Sequence, residues 1–84
     1  MADLKGLIEA VARALADQPD AVSVRESERR GATVYELQVA SGDLGRVIGR
    51  QGRTAAALRT LLSSAAEADD KRVSLDIRDH TGRS

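Results

Sequence analysis

Gly49-Arg50-Gln51-Gly52 sets two hydrogen-bond donors, a guanidinium and an amide, between two glycines. The glycines let the chain reverse at positive φ and leave no side chain over the turn. The backbone N–H groups of such a turn, and the N-terminus of a helix beginning near Gly52, can come close to a phosphate. Arg46, Arg50 and Arg53 surround the spot, and no acidic residue occurs between Leu44 and Ala66. This is chemistry for holding a nucleic-acid backbone. Two glycines three apart are common, however, and the tetrapeptide alone equally describes one helix ending and another beginning with no ligand between them. The surrounding elements decide.

From Ala2 to Asp17, Leu4, Leu7, Ile8, Val11 and Leu15 follow helical spacing. Gln18-Pro19-Asp20 stops that helix, because the residue before a proline is pushed out of the helical region. Val22 and Val24 then alternate with Ser23 and Arg25, as in a half-buried strand, and Glu28 to Ala32 reads as a hairpin connection around Gly31. Tyr35, Leu37 and Val39 alternate with Val34, Glu36 and Gln38 as a second strand. Ser41-Gly42-Asp43 offers an N-cap for a short helix to Ile48, and after the glycine turn a longer helix covers Arg53 to Ala68. Asp69-Asp70-Lys71 is a polar turn, Val73, Leu75 and Ile77 mark a third strand, and 79–84 reads as a flexible polar tail on a core of about 4–78. The order α-β-β-α-α-β predicts a single two-layer α+β domain with three helices on one face of a three-stranded mixed sheet. Its first two strands form an antiparallel hairpin, and the third returns parallel to the second through the two-helix crossover.

Composition narrows the functional classes. The 84 residues carry 13 basic and 13 acidic side chains and no cysteine, so disulfides and thiolate metal sites are excluded. A protein that coats duplex nucleic acid by charge alone would be far more basic. Here the positive charge is local: Arg46, Arg50, Arg53 and Arg59 lie in one acid-free stretch, which favours modest, site-directed binding. Tyr35 is the only aromatic residue, which removes base-stacking platforms of the RRM or OB type. No apolar run approaches membrane-spanning length, and Asp3, Lys5 and Glu9 break any secretion-signal pattern, so a cytoplasmic location is expected. His80, the only histidine, falls in the expected tail, and the serines and carboxylates lack the partners or spacing of a catalytic or metal site, so no enzyme and no cofactor are expected.

Leu44-Gly45-Arg46-Val47-Ile48-Gly49-Arg50-Gln51-Gly52-Arg53 between two helices, with Gln18-Pro19-Asp20 before the first strand and Arg59-Thr60 in the later helix, resembles a type II KH domain, and within it the KhpA family of small bacterial RNA-binding proteins. The resemblance covers about Leu4 to Ile77. It implies binding of single-stranded RNA, with single-stranded DNA also open, by a G-x-x-G loop that clamps about four nucleotides of backbone. On that resemblance Gly49 and Gly52 shape the clamp, Arg50 and Gln51 are its two variable donors, and Arg53 reaches an adjacent phosphate. Arg46 and Arg59 are outlying members of the patch. Val47, Ile48 and Leu37 are candidates for an apolar groove floor, although spacing leaves their orientation open and residues like Val47 and Ile48 more often belong to the core. The resemblance further implies a homodimer or a KhpB-like RNA-binding partner, and RNA-chaperone, post-transcriptional and cell-shape roles. The last of these rests on the family alone.

A single domain with so few phosphate contacts binds weakly, and avidity through a second copy or a partner is the usual remedy. In the longer helix Leu58, Leu62 and Ala65 point one way, with Leu61 at the edge of that stripe. Ala57, Leu61, Ser64 and Ala68 form a small-residue strip beside it, a candidate dimer face, or merely the flank of the core stripe. Two rivals stand beside the RNA reading. One is a protein-interaction module whose clamp binds no nucleic acid. The other is a helix-turn-helix, whose exposed Ala56, Thr60 and Ser63 would offer little to read base edges.

Overall fold

The computed structural model describes residues 3–68 and 72–80. Helix α1 spans Leu4–Leu15 and begins where the Asp3 carboxylate accepts a hydrogen bond from the Gly6 N–H at 2.9 Å. It stops at Ala16 ahead of the proline, as expected, and Pro19–Ala21 forms one 3₁₀ turn. Strand β1 (Ser23–Arg29) pairs antiparallel with β2 (Ala32–Val39). The connection expected over Glu28 to Ala32 shrinks to Arg30 and Gly31, at φ 52° and 80°. Positive φ at both central residues is what a two-residue type I′ hairpin requires.

A 3₁₀ turn at Ser41–Asp43 leads into α2 (Leu44–Ile48), a second one at Arg50–Gly52 follows, and α3 covers Arg53–Ala68, the range expected from the spacing. Strand β3 (Arg72–Asp79) then pairs parallel with β2, from Ala32↔Arg72 through Val39↔Asp79. The sheet order is β1-β2-β3, so β1 and β3 are both edge strands. The helices pack on one face of this mixed sheet, which is the expected α+β arrangement.

The core lies between the layers: Ile8 and Ala12 from α1, Tyr35, Leu37 and Val39 from β2, Val47 from α2, Leu58 and Leu62 from α3, and Leu75 and Ile77 from β3. In α1 the buried line is rotated from the leucine-rich stripe. Ala12 is fully buried, while Leu7 and Leu15 remain 40% and 39% exposed. A small residue there lets the helix backbone approach the sheet closely. The outer half of β1 has no cover, so Glu26 and Glu28 are exposed although they alternate with Val24 toward the helix side.

Two details depart from expectation. Ser41 and Asp43 cap no helix with their side chains. Instead Asp43, 2% exposed, turns its carboxylate to the end of α1 and accepts the N–H groups of Asp17 at 3.1 Å and Gln18 at 2.9 Å. Those N–H groups lie just past the helix, where proline prevents it from continuing, and the carboxylate supplies the acceptors that a further turn would have provided. Asp79 and His80, expected as the start of the tail, are part of the folded body. Asp79 is buried at the end of β3, the His80 N–H donates to Val39 O at 3.0 Å, and its ring Nε2 lies 2.7 Å from Ala21 O, a carbonyl that can only accept. The expected polar turn at 69–71 and the rest of the expected 79–84 tail fall outside the described residues.

Replacing Asp43 by alanine leaves two partly buried donors unpaired and is expected to cost about 1–3 kcal/mol of stability. Urea unfolding should show a lower midpoint with an unchanged slope; an unaltered midpoint would mean that water serves those donors equally well.

Candidate nucleic-acid interface

The turn between α2 and α3 is built by backbone geometry that only glycine reaches at one position. α2 closes with the Gly49 N–H on Gly45 O at 3.0 Å, and Gly49 then adopts φ 84°, ψ 165°, a region essentially confined to glycine. A Cβ there would lie 2.5 Å from Thr54 Oγ1 and 3.0 Å from the Thr54 backbone nitrogen. Gln51 follows at φ 58°, ψ 25° and Gly52 at φ 71°, the latter with open space where a Cβ would sit. The Gly52 N–H donates to Gly49 O at 3.0 Å, and the Arg53 N–H donates to Arg50 O. Three of the N–H groups expected to face a ligand are therefore committed to the turn itself. The exposed side chains of Arg50, Gln51 and Arg53, rather than these N–H groups, are what the turn offers to a phosphate. Neither arginine has an ion pair among the described residues. Arg53 Nη2 meets Gln51 Oε1 at 3.5 Å, the outer limit of a hydrogen bond.

The outlying residues divide. Arg46 pairs with Asp17 at 3.3 Å, and side-chain exposures of 59% and 67% leave that pair screened and weak. Val47 and Leu37 are completely buried, so the groove-floor role considered for them gives way to a core role. Ile48 is half-buried and keeps a surface.

That surface opens onto a groove between α3 and the edge strand β3. Ile48, Ala55 and Ile77 line a first depression of about 220 Å³ and Leu62, Val73 and Leu75 a second of the same size. Arg59 borders both and donates from Nη2 to Leu75 O at 3.3 Å. Because β3 pairs only with β2, its other edge carries backbone donors and acceptors free of the ladder. Asp76 also lines the groove, but its charge is balanced by Arg78 Nε at 2.7 Å. The contribution of β3 is not evident from the spacing of Val73, Leu75 and Ile77, which marks only a third strand. The signal was available: a strand reached last by a parallel crossover is an edge.

On the opposite flank of α3, Ala57, Leu61 and Ser64 are exposed, Leu61 at 54%. The side chain of Ala68 lies outside the described residues. At 100° per residue this strip faces away from the groove-lining Arg59 and Ser63. The core stripe is Ala55, Leu58, Leu62 and Ala66, with Ala65 only half-buried, so Leu61 belongs wholly to the open strip. Tyr35 is buried as expected. Burial first, then the negative charges of Glu26 and Asp3, raise its phenol above the usual tyrosine value and keep it neutral.

Alanine at Gly52 must adopt left-handed backbone in open space, an expected cost of about 1–2 kcal/mol. Alanine at Gly49 adds a collision with Thr54 and should be clearly more destabilising in the same urea titration; equal costs would mean that the turn relaxes around Thr54.

Comparison with known proteins places this geometry. The family described as "KhpA/KhpB, KH domain" matches residues 5–77. The RNA-binding protein KhpA of Treponema pallidum is 51% identical over 73 residues, 87% of this chain and 91% of that protein. The protein of the same name from Halalkalibacterium halodurans is 47% identical over 76 residues, 90% of this chain and 100% of that one. Among solved structures, Era in complex with MgGDPNP and nucleotides 1506–1542 of 16S ribosomal RNA superposes with a TM-score of 0.54 at 16% identity, over 90% of this chain and 29% of that one, a likeness of fold. With its matched span, its α-β-β-α-α-β order and its G-x-x-G turn, the chain belongs to the KhpA/KhpB KH-domain family, a family of binding proteins rather than enzymes.

Proposed function

We propose that this chain is a single KH domain that binds single-stranded RNA. In this reading the Gly49–Gly52 turn clamps the backbone, and the α3–β3 groove receives the bases. The observation that carries the proposal is the turn: Gly49 holds glycine-only geometry at the head of the groove, beside Arg50 and Arg53, which have no carboxylate partner among the described residues. The names of the relatives, RNA-binding protein KhpA, point the same way. Arg50 supplies a charge-assisted donor and Gln51 a neutral one, while Arg53 and Arg59 continue the positive line along α3. With the apolar depressions and the free edge of β3, bases have both a floor and hydrogen-bonding partners, without the aromatic platform that this chain lacks.

The open Ala57–Leu61–Ser64 strip supports a second element of the proposal, association with another copy or with a KhpB-like partner through α3. Because the strip faces away from the groove, pairing there leaves the RNA site accessible and doubles it. An RNA-chaperone or post-transcriptional role follows from the family resemblance and from weak, multivalent binding. No helix among the described residues is long and apolar enough to cross a membrane, and we place the protein in the cytoplasm with its RNA.

Binding of a labelled unstructured RNA at two salt concentrations tests the clamp. The Arg50→Asp, Gln51→Asp double variant should bind about tenfold or more weakly, about 1.4 kcal/mol, with its fold intact by circular dichroism. Equal binding by variant and wild type would place the RNA site elsewhere. For association, light scattering of Leu61→Lys should give a lower mass than the wild type; an unchanged mass removes this face.

A further inference from the structure

We propose that the RNA-binding surface does not end with the groove but continues onto a second phosphate-binding site, formed by Arg29, Arg30 and Arg72 at the opposite end of the sheet from the clamp. The inference rests on the RNA reading above and extends the strand's path.

Strand register assembles the site. Arg29 pairs with Ala32, and Ala32 with Arg72, so two arginines flank a small residue in one row across all three strands. Two interstrand spacings put their Cα atoms about 10 Å apart. Alternation sends both side chains to the open face of the sheet, while Glu26 and Glu28 alternate to the other face. Arg30 follows at the hairpin tip. All three arginines are exposed, and none has an ion pair among the described residues.

The groove leads to this cluster. Beyond the two depressions near Arg59, a third is lined by Ser63, Ala66, Glu67, Arg72 and Val73. Arg72 is thus both the last wall of the groove and the first member of the row. α3 rises 1.5 Å per residue alongside β3 in the opposite direction, carrying the path from the clamp to the hairpin end. A strand clamped at Gly49–Gly52 and laid in the groove would emerge at Arg72 with its backbone facing Arg29 and Arg30.

The backbone fixes where the third arginine stands. Among the described residues, only Arg30 and Gln51 are non-glycine residues at positive φ. The first central position of a type I′ turn favours asparagine, aspartate or glycine, and an arginine there adopts its conformation at a cost. Gln51 lies in the clamp turn, and Arg30 lies at the hairpin tip, where the two-residue turn itself sets its positive φ. Charges of either sign would keep a hairpin end soluble; at this end of the open face the charges are arginines, while Glu36 and Asp76 lie farther along it toward the other end.

The test compares a tetranucleotide and a decanucleotide of unstructured single-stranded RNA by fluorescence anisotropy. The variant Arg29→Gln, Arg30→Asn, Arg72→Gln removes the charges, and asparagine suits the turn, so folding is preserved. Wild type should bind the decanucleotide more tightly than chain length alone explains. The variant should lose about tenfold on the decanucleotide and nothing on the tetranucleotide. Its salt dependence should also be shallower by up to about 2 in log–log slope, at about 0.7 per phosphate of a single strand. Wild-type affinity of the variant for the decanucleotide would overturn the second site while leaving the clamp standing. Failure of the wild-type protein to bind either RNA would overturn the RNA reading, and this extension with it.

Discussion

Parallel pairing of β2 with β3 is the constraint from which the rest of the molecule follows. A chain that leaves β2 at Val39 must travel back along the whole sheet before β3 can begin beside Ala32. That return is made by α3, and α2 with its glycine turn is the corner that launches it. The glycine turn therefore sits at the end of the sheet where β2 and β3 finish, and the hairpin tip sits at the other. The corner is well secured. Asp43 ties the start of the crossover to the end of α1, and His80 ties the end of β3 to Val39 and Ala21.

The turn at this corner closes its own hydrogen bonds, so its rigidity does not depend on a ligand. Gly45 O and Gly49 O receive the N–H groups that would otherwise point outward. What remains for recognition is a set of long cationic side chains on a fixed base. Such side chains order on binding and lose rotamer freedom, whereas the backbone beneath them has nothing left to lose. In a domain with no net charge, the arginines around this turn make a positive patch by position rather than by excess.

Much of this was legible in the chain. α3 matched its expected range because Leu58 and Leu62 carry an unambiguous period and Gly52 marks its start. The parallel third strand followed from the two-helix crossover. What was illegible has physical causes. Asp43 looked like a helix cap because it precedes a helix, and its real partners lie 26 and 25 residues away. Val47 and Ile48 are neighbours of one chemical type, and only the tilt of a five-residue helix decides that one is core and the other groove. The groove itself was hidden because it is made of two elements, and periodicity describes one at a time. His80 read as tail because its acceptors, Val39 O and Ala21 O, are backbone atoms without sequence identity.

The uncovered outer half of β1 bears on how these molecules behave in a crowd. An open edge invites a second copy to add its own β1 and extend the sheet. Centred on Glu26, such antiparallel pairing sets that residue against itself. Centred on Ser27, it sets Glu26 against Glu28 and Arg25 against Arg29. Like charges directly opposite one another destabilise a strand pair. The strand written Ser-Val-Arg-Glu-Ser-Glu-Arg is therefore self-repelling in these two registers, and they are disfavoured as a way for two copies to join through the edge their helices leave bare.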